Sequence, residues 1–176
     1  ENPYTVELTY DATGLRGDAV VYFEELYTED GELVGEHNNI NSKSQTITFR
    51  DPKLKTKACV KGTSQQTSLA VKDFVSVDEV EYEDIPAGKY VAKVTVMRKS
   101  DGSVYQVDGE DVRFTEEVWL DGKLPYTVET KFDATGLRGD AMVYFEELYT
   151  EDGELVGEHK DIESEEQTIT FVEGVL

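Results

Sequence analysis

Apolar and polar residues alternate with a period of two along much of this chain, the pattern of β-strands with one face buried. Lys89–Met97 places Tyr90, Ala92, Val94 and Val96 on one face. Val112–Leu120, Tyr126–Phe132, Ala141–Tyr149 and Gln167–Phe171 are rich in Val, Thr, Tyr and Phe and are predicted as further strands. The segments SDG, LDG and EDG punctuate them and are predicted as hairpin turns. Their acids lack the spaced ligand run of a calcium loop, so the turns are read as turns. No segment sustains a helical period. Short strands with regular turns predict an all-β, antiparallel sandwich.

The strand pattern occurs nearly twice. Residues Pro3–Phe49 recur as Pro125–Phe171, and Tyr22–His37 is identical to Tyr144–His159. So long a period excludes a solenoid and fits tandem globular domains. Residues 1–51 are expected to be the C-terminal half of one repeat domain, and residues 52–176 a complete one. Asp51–Lys53 is the expected junction, where a proline interrupts any continuous ladder. A lone half-sandwich exposes an apolar face and open edges, so strands from another molecule or a separate chain are expected to complete residues 1–51.

Charge narrows the function. The net charge is −21, from 17 basic and 38 acidic residues. Nucleic acid and anionic membranes both attract the opposite sign. No apolar run is long enough to span a bilayer, so no membrane insertion is expected. A single cysteine, Cys59, makes no intramolecular disulfide, and no Cys/His cluster is spaced for zinc. No cofactor or metal is expected.

Several polar residues fall on otherwise apolar strand faces. Thr56 lies with Leu54, Ala58 and Val60; Asp78 with Val80 and Tyr82; Glu146 with Met142, Tyr144 and Leu148; Gln167 with Ile169 and Phe171. Any one of these could belong to an edge strand or a half-wet face. Four together in one domain point to a functional cluster, since buried carboxylates and amides are expensive without partners. The chemistry of the set is coherent. A threonine hydroxyl becomes a nucleophile when a base takes its proton. A glutamine carbonyl can be attacked, with ammonia as leaving group. Two inward acids cannot both ionise cheaply, and a protonated one can donate to a carbonyl oxygen as charge develops there. His159, eight residues before Gln167, is the candidate proton shuttle. The other histidine, His37, occupies the equivalent repeat position.

The segments LKTKA, VDEVEYEDIPAGKY, YFEELY and EHKDIESEEQTITF resemble the Thr–Gln ester-bond (VaFE-repeat) domains of Gram-positive surface adhesins. The resemblance spans Leu54–Phe171. It implies an immunoglobulin-like sandwich in which a threonine and a glutamine side chain are joined by a self-catalysed ester bond. Carried over by residue, Thr56 is the nucleophile, Gln167 the acceptor, His159 the base, and Asp78 and Glu146 the acid pair. The partial copy matches at Glu24, His37 and Gln45. It departs at Asn39 and Asn41, where the other copy has Asp161 and Glu163, and it has no upstream Thr or Asp.

The expected function is therefore a stalk domain of an extracellular, cell-wall-anchored adhesin, crosslinked once rather than turning over, with neighbouring repeats as partners. The alternatives are an immunoglobulin-like ligand-binding module without a cross-link, and a turnover glutaminase using the same residues. Near-identity of the copies, turns included, disfavours the first alternative. Residues projecting into a core disfavour the second.

Overall fold

The computed structural model describes residues 3–174. The chain divides into two compact units, Glu1–Asp51 and Pro52–Leu176.

The first unit holds four short strands, β1 (Ala19–Val21), β2 (Glu24–Tyr27), β3 (Leu33–His37) and β4 (Thr46–Thr48). They form two separate antiparallel ladders, β1 with β4 and β2 with β3. The alternating segment 4–10 forms no ladder here. Its apolar side chains lie open, with Val6 at 63% and Leu8 at 58% exposure.

The second unit contains β5 (Lys53–Val60), β6 (Thr67–Leu69), β7 (Phe74–Glu83), β8 (Gly88–Arg98), the short ribbon β9 (Gln106–Val107) and β10 (Glu110–Asp111), β11 (Arg113–Leu120), β12 (Tyr126–Phe132), β13 (Ala141–Thr150), β14 (Leu155–His159) and β15 (Thr168–Val172). One sheet has the order β12-β7-β5. The other has the order β11-β8-β13-β15-β6, with β14 also paired to β13. The inward faces of both supply one core, including Ala58, Phe74 and Val128 from the first sheet and Val94, Tyr144, Ile169 and Phe171 from the second. The Phe74 and Phe171 rings meet edge to face with centroids 4.9 Å apart, a favoured aromatic geometry. The fold is all-β, as the alternation predicts.

Two local expectations are corrected. The LDG turn is not a hairpin: β11 pairs with β8 and β12 with β7, so this turn carries the chain from one sheet to the other. Its Gly122 sits at φ +84°, where a side chain would be strained. The EDG turn does close the β13–β14 hairpin. Second, the pairing is not wholly antiparallel. The β5–β6 segment runs alongside β15 in the same direction: Ala58 N donates to Glu166 O, Thr170 N donates to Gln66 O, and Thr67 then pairs with Thr170.

The chain's path along β13 creates the site. One edge of β13 is covered by β8 over nearly its full length. The other edge is shared: β15 pairs with Ala141–Val143, and β14 with Glu146–Tyr149. Between them, Tyr144 N donates to Gln167 O at 3.1 Å. His159 at the end of β14 and Gln167 just ahead of β15 therefore meet where one strand hands over to the next. The first strand, β5, runs past this junction.

Candidate functional site

Alternation places each polar residue of the set inward. Asp78, Glu146 and Gln167 have no exposed surface, and Thr56 retains 1%. Thr56 faces inward from β5 with Ala58, and β5 pairs with β7 in a register that sets Ala58 opposite Asp78 and Thr56 opposite Val80. Glu146 and His159 are direct partners across β13 and β14. Thr56 Oγ1 lies 2.8 Å from His159 Nδ1. A hydroxyl donor makes Nδ1 the acceptor and leaves the ring proton on Nε2. Thr56 thus meets the second repeat copy, whose His159 and Gln167 flank the strand handover.

The remaining polar atoms form an unusual set. Both oxygens of Asp78, Glu146 Oε2, and both Oε1 and Nε2 of Gln167 are buried without a hydrogen-bond partner. Unpaired buried polar groups are uncommon and each one costs stability. Five such atoms on three inward-facing residues of one core is a concentration that a purely structural interior avoids. Burial also decides the protonation of the acids. Desolvation, followed by the nearby charge of Glu79, pushes Asp78 up to about 8. Desolvation, followed by the adjacent Asp78, raises Glu146 well above the usual carboxylate range, against a smaller opposing pull from Tyr126. Burial therefore favours a protonated carboxyl within the Asp78–Glu146 pair, and a protonated carboxyl is a hydrogen-bond donor.

Two residues of the site escaped the sequence reading. Tyr126 on β12 donates its hydroxyl to Glu146 Oε1 at 3.0 Å. With Oε1 occupied as acceptor, the carboxyl proton belongs on Oε2, the free oxygen. On a half-buried strand a tyrosine reads as an ordinary core aromatic; the available signal was its recurrence as Tyr4. Gln66, in the turn between β5 and β6, places its Nε2 within 3.0 Å of Glu165 O, 2.8 Å of Glu166 O and 3.1 Å of Thr168 O. It clasps the backbone on both sides of Gln167. Nothing in the local pattern of QQT announces this, because its partners lie about a hundred residues away.

Beside the acids, the hydroxyls of Ser76, Thr130 and Tyr144 form a closed, buried hydrogen-bonded trio. It satisfies itself and leaves Asp78 unpaired. Among the described residues no group of three His, Cys, Asp or Glu side chains could hold a metal ion.

The partial copy reproduces part of the arrangement. Glu24 pairs with His37 across β2 and β3, and Tyr22 N donates to Gln45 O at 3.1 Å. Here Glu24 is exposed and Gln45 half-buried.

Comparison with known proteins bears on this geometry. No curated protein matches the chain. Two crystal forms of a bacterial adhesin from Mobiluncus mulieris, a protein containing intramolecular disulfide, isopeptide and ester bond cross-links, are similar in fold. Their TM-scores are 0.54 and 0.53 at 15% and 17% identity, covering 67% and 69% of this chain. The matched region spans 56% and 57% of the adhesin chain. The family model of the T-Q ester bond containing domain matches residues 1–49 and again 52–171. With the model covering nearly all of its length, the chain belongs to the family of T-Q ester bond containing domains.

Proposed function

We propose that residues 52–176 form an autocatalytic ester bond between Thr56 and Gln167, and that the chain is a stalk segment of a cell-surface adhesin. One observation carries the reading: a threonine hydroxyl 2.8 Å from a histidine nitrogen, on a strand running beside a buried glutamine whose amide has no partner.

His159 Nδ1 takes the hydroxyl proton as Thr56 Oγ1 bonds to the side-chain carbon of Gln167. The carbonyl electron pair moves onto Oε1. A protonated carboxyl of the Asp78–Glu146 pair, with Glu146 Oε2 free to donate, stabilises that oxygen. His159 returns the proton to Nε2, the carbon–nitrogen bond breaks, ammonia leaves, and the ester remains. No cofactor enters this balance. Burial of Thr56, Glu146 and Gln167 supports a single turnover, since water and a second substrate have no easy approach.

The use of such a bond follows from topology. β5 opens the unit and bonds through Ala58 N to Glu166 O just ahead of β15, the closing strand, which pairs in parallel with β6. Tension entering at Lys53 and leaving beyond Val172 would shear them apart. An ester at Thr56 and Gln167 routes the force from one end strand to the other and bypasses everything between.

The test is intact mass. Folded wild-type protein should be lighter than its sequence by one ammonia, and digestion should yield a peptide containing both Thr56 and Gln167. Full sequence mass in mature, folded protein would overturn the proposal.

A further inference from the structure

Thr56 and His159 belong to different sheets. Thr56 stands on β5, which pairs with β7, and His159 on β14, which pairs with β13. Their 2.8 Å approach depends on how closely β5 settles over β14. We infer that Gly157 sets this distance: by carrying no side chain, it lets β5 come down far enough for Thr56 to reach His159. The inference rests on the reading of Thr56 and His159 above and adds a positioning residue to it.

The two strands meet in matching steps. Gly157 lies two positions before His159, and the ladder with β13 sets Gly157 opposite Leu148 and His159 opposite Glu146. Leu54 lies two positions before Thr56, and the ladder with β7 sets Leu54 opposite Tyr82 and Thr56 opposite Val80. The period of two keeps each pair on one face. Thr56 meets His159, and Leu54 meets Gly157. A Cβ added to Gly157 would stand 3.3 Å from Leu54 Cγ, and 3.7 and 3.8 Å from its two methyl carbons. The first distance falls inside the ~3.5–4.0 Å optimum for two carbons. Gly157 is buried and Leu54 packs against the core, so an added side chain pushes Leu54, and β5 with it, away from β14.

Backbone conformation gives no other reason for a glycine here. Gly157 lies inside a strand and is not in the left-handed region. Glycine weakens a strand interior, and a residue chosen for the sheet alone would be β-branched or aromatic. Close approach of Leu54 accounts for the choice. Two residues beyond Thr56 the strand is fixed a second time, where Ala58 N donates to Glu166 O at 2.8 Å. That bond ties β5 to the residue before Gln167. The contact at Gly157 sets the height of β5 over the base.

The experiment follows ammonia loss by intact mass in freshly refolded protein, under conditions where circular dichroism shows each variant folded. The rate then reports native geometry rather than the folded fraction. Gly157→Val should slow the loss by about tenfold or more, since a misplacement of ~1 Å can cost on the order of a hundredfold. Gly157→Ala should slow it less, in the same direction. Trimming the opposite side chain should relieve the clash: Gly157→Val combined with Leu54→Ala should recover to within roughly threefold of Leu54→Ala alone, a coupling expected only of residues in contact. An undiminished rate in folded Gly157→Val would overturn the inference, as would an undiminished rate in Gly157→Ala where the valine variant does not fold. A slowing that Leu54→Ala fails to relieve would overturn it as well. In each of those cases the wild type still loses one ammonia and the cross-link stands. A folded wild type that keeps its full mass would sink the cross-link, and the role of Gly157 with it.

Discussion

Tyr126 decides which oxygen of Glu146 is available. Its hydroxyl occupies Oε1, leaving Oε2 as the oxygen free to donate in the proposed reaction. Tyr126→Phe keeps the ring and removes the donor, so the proton can sit on either oxygen. One hydrogen bond of about 1 kcal/mol corresponds to a roughly three- to tenfold slower cross-linking rate. The check is the time course of ammonia loss in freshly refolded protein, alongside an unchanged circular dichroism spectrum. The raised acids set a second expectation. Asp78 holds its proton up to about 8 in the fold and releases it near 4 when unfolded. The folded state therefore binds more protons across that window, and raising the pH favours unfolding. In a Thr56→Ala variant, which cannot crosslink, stability should fall between pH 4 and pH 8 by up to about 1.4 kcal/mol per pH unit through Asp78. Adding Asp78→Asn should flatten the slope, as read by urea midpoints across pH. The cross-linking rate of the wild type should decline above about pH 8, where Asp78 gives up its proton and the pair carries more negative charge.

Among the elements, the handover from β14 to β15 along β13 depends on a side chain that belongs to neither. Gln66 fixes the backbone around Gln167 through three carbonyls. Gln66→Ala should leave the core intact and slow ester formation, with stability of an uncrosslinked background reduced by about 1 kcal/mol. An undiminished rate would remove Gln66 from the positioning of the acceptor. The limits of the sequence reading follow from the same geometry. Thr56, Asp78, Glu146 and Gln167 were legible because a strand's period of two declares which face each residue takes. The relation of Gln66 to Gln167 was not, because a turn residue has no periodic face and its partners are distant in sequence. Nor was the sheet change at LDG, since an Asp-Gly turn suits a tight hairpin and a crossover equally well. The segment 4–10 makes the point from the other side. Its alternation is that of β12, yet it forms no ladder where no β7-like neighbour is present. Pattern specifies the face; pairing needs the partner.

For the whole molecule, the proposed bond closes a loop of about one hundred residues. On the chain-entropy treatment used for disulfides this restricts the unfolded ensemble by ~4–5 kcal/mol. Wild-type protein should therefore unfold at a higher denaturant concentration than Thr56→Ala, with a smaller slope because the tethered chain exposes less surface. Under single-molecule tension, the second unit should extend only by the short segments outside Thr56 and Gln167, whereas Thr56→Ala should release the whole unit. Removing residues 1–51 should leave the mass loss of residues 52–176 unchanged, because the two units are separately compact. The strand handover has one more consequence. The groups of the proposed reaction come from β5, β7, β13, the end of β14 and the residue just ahead of β15, and they converge only after both sheets have closed. The proposed ester, once formed, would outlast the fold that made it. A molecule that later denatures would still weigh one ammonia less, and one that never reached the native state would not. On this proposal the mass of each chain would record whether it has folded. In a denatured mixture, the ratio of the two masses counts the past successes of folding after the structures themselves are gone.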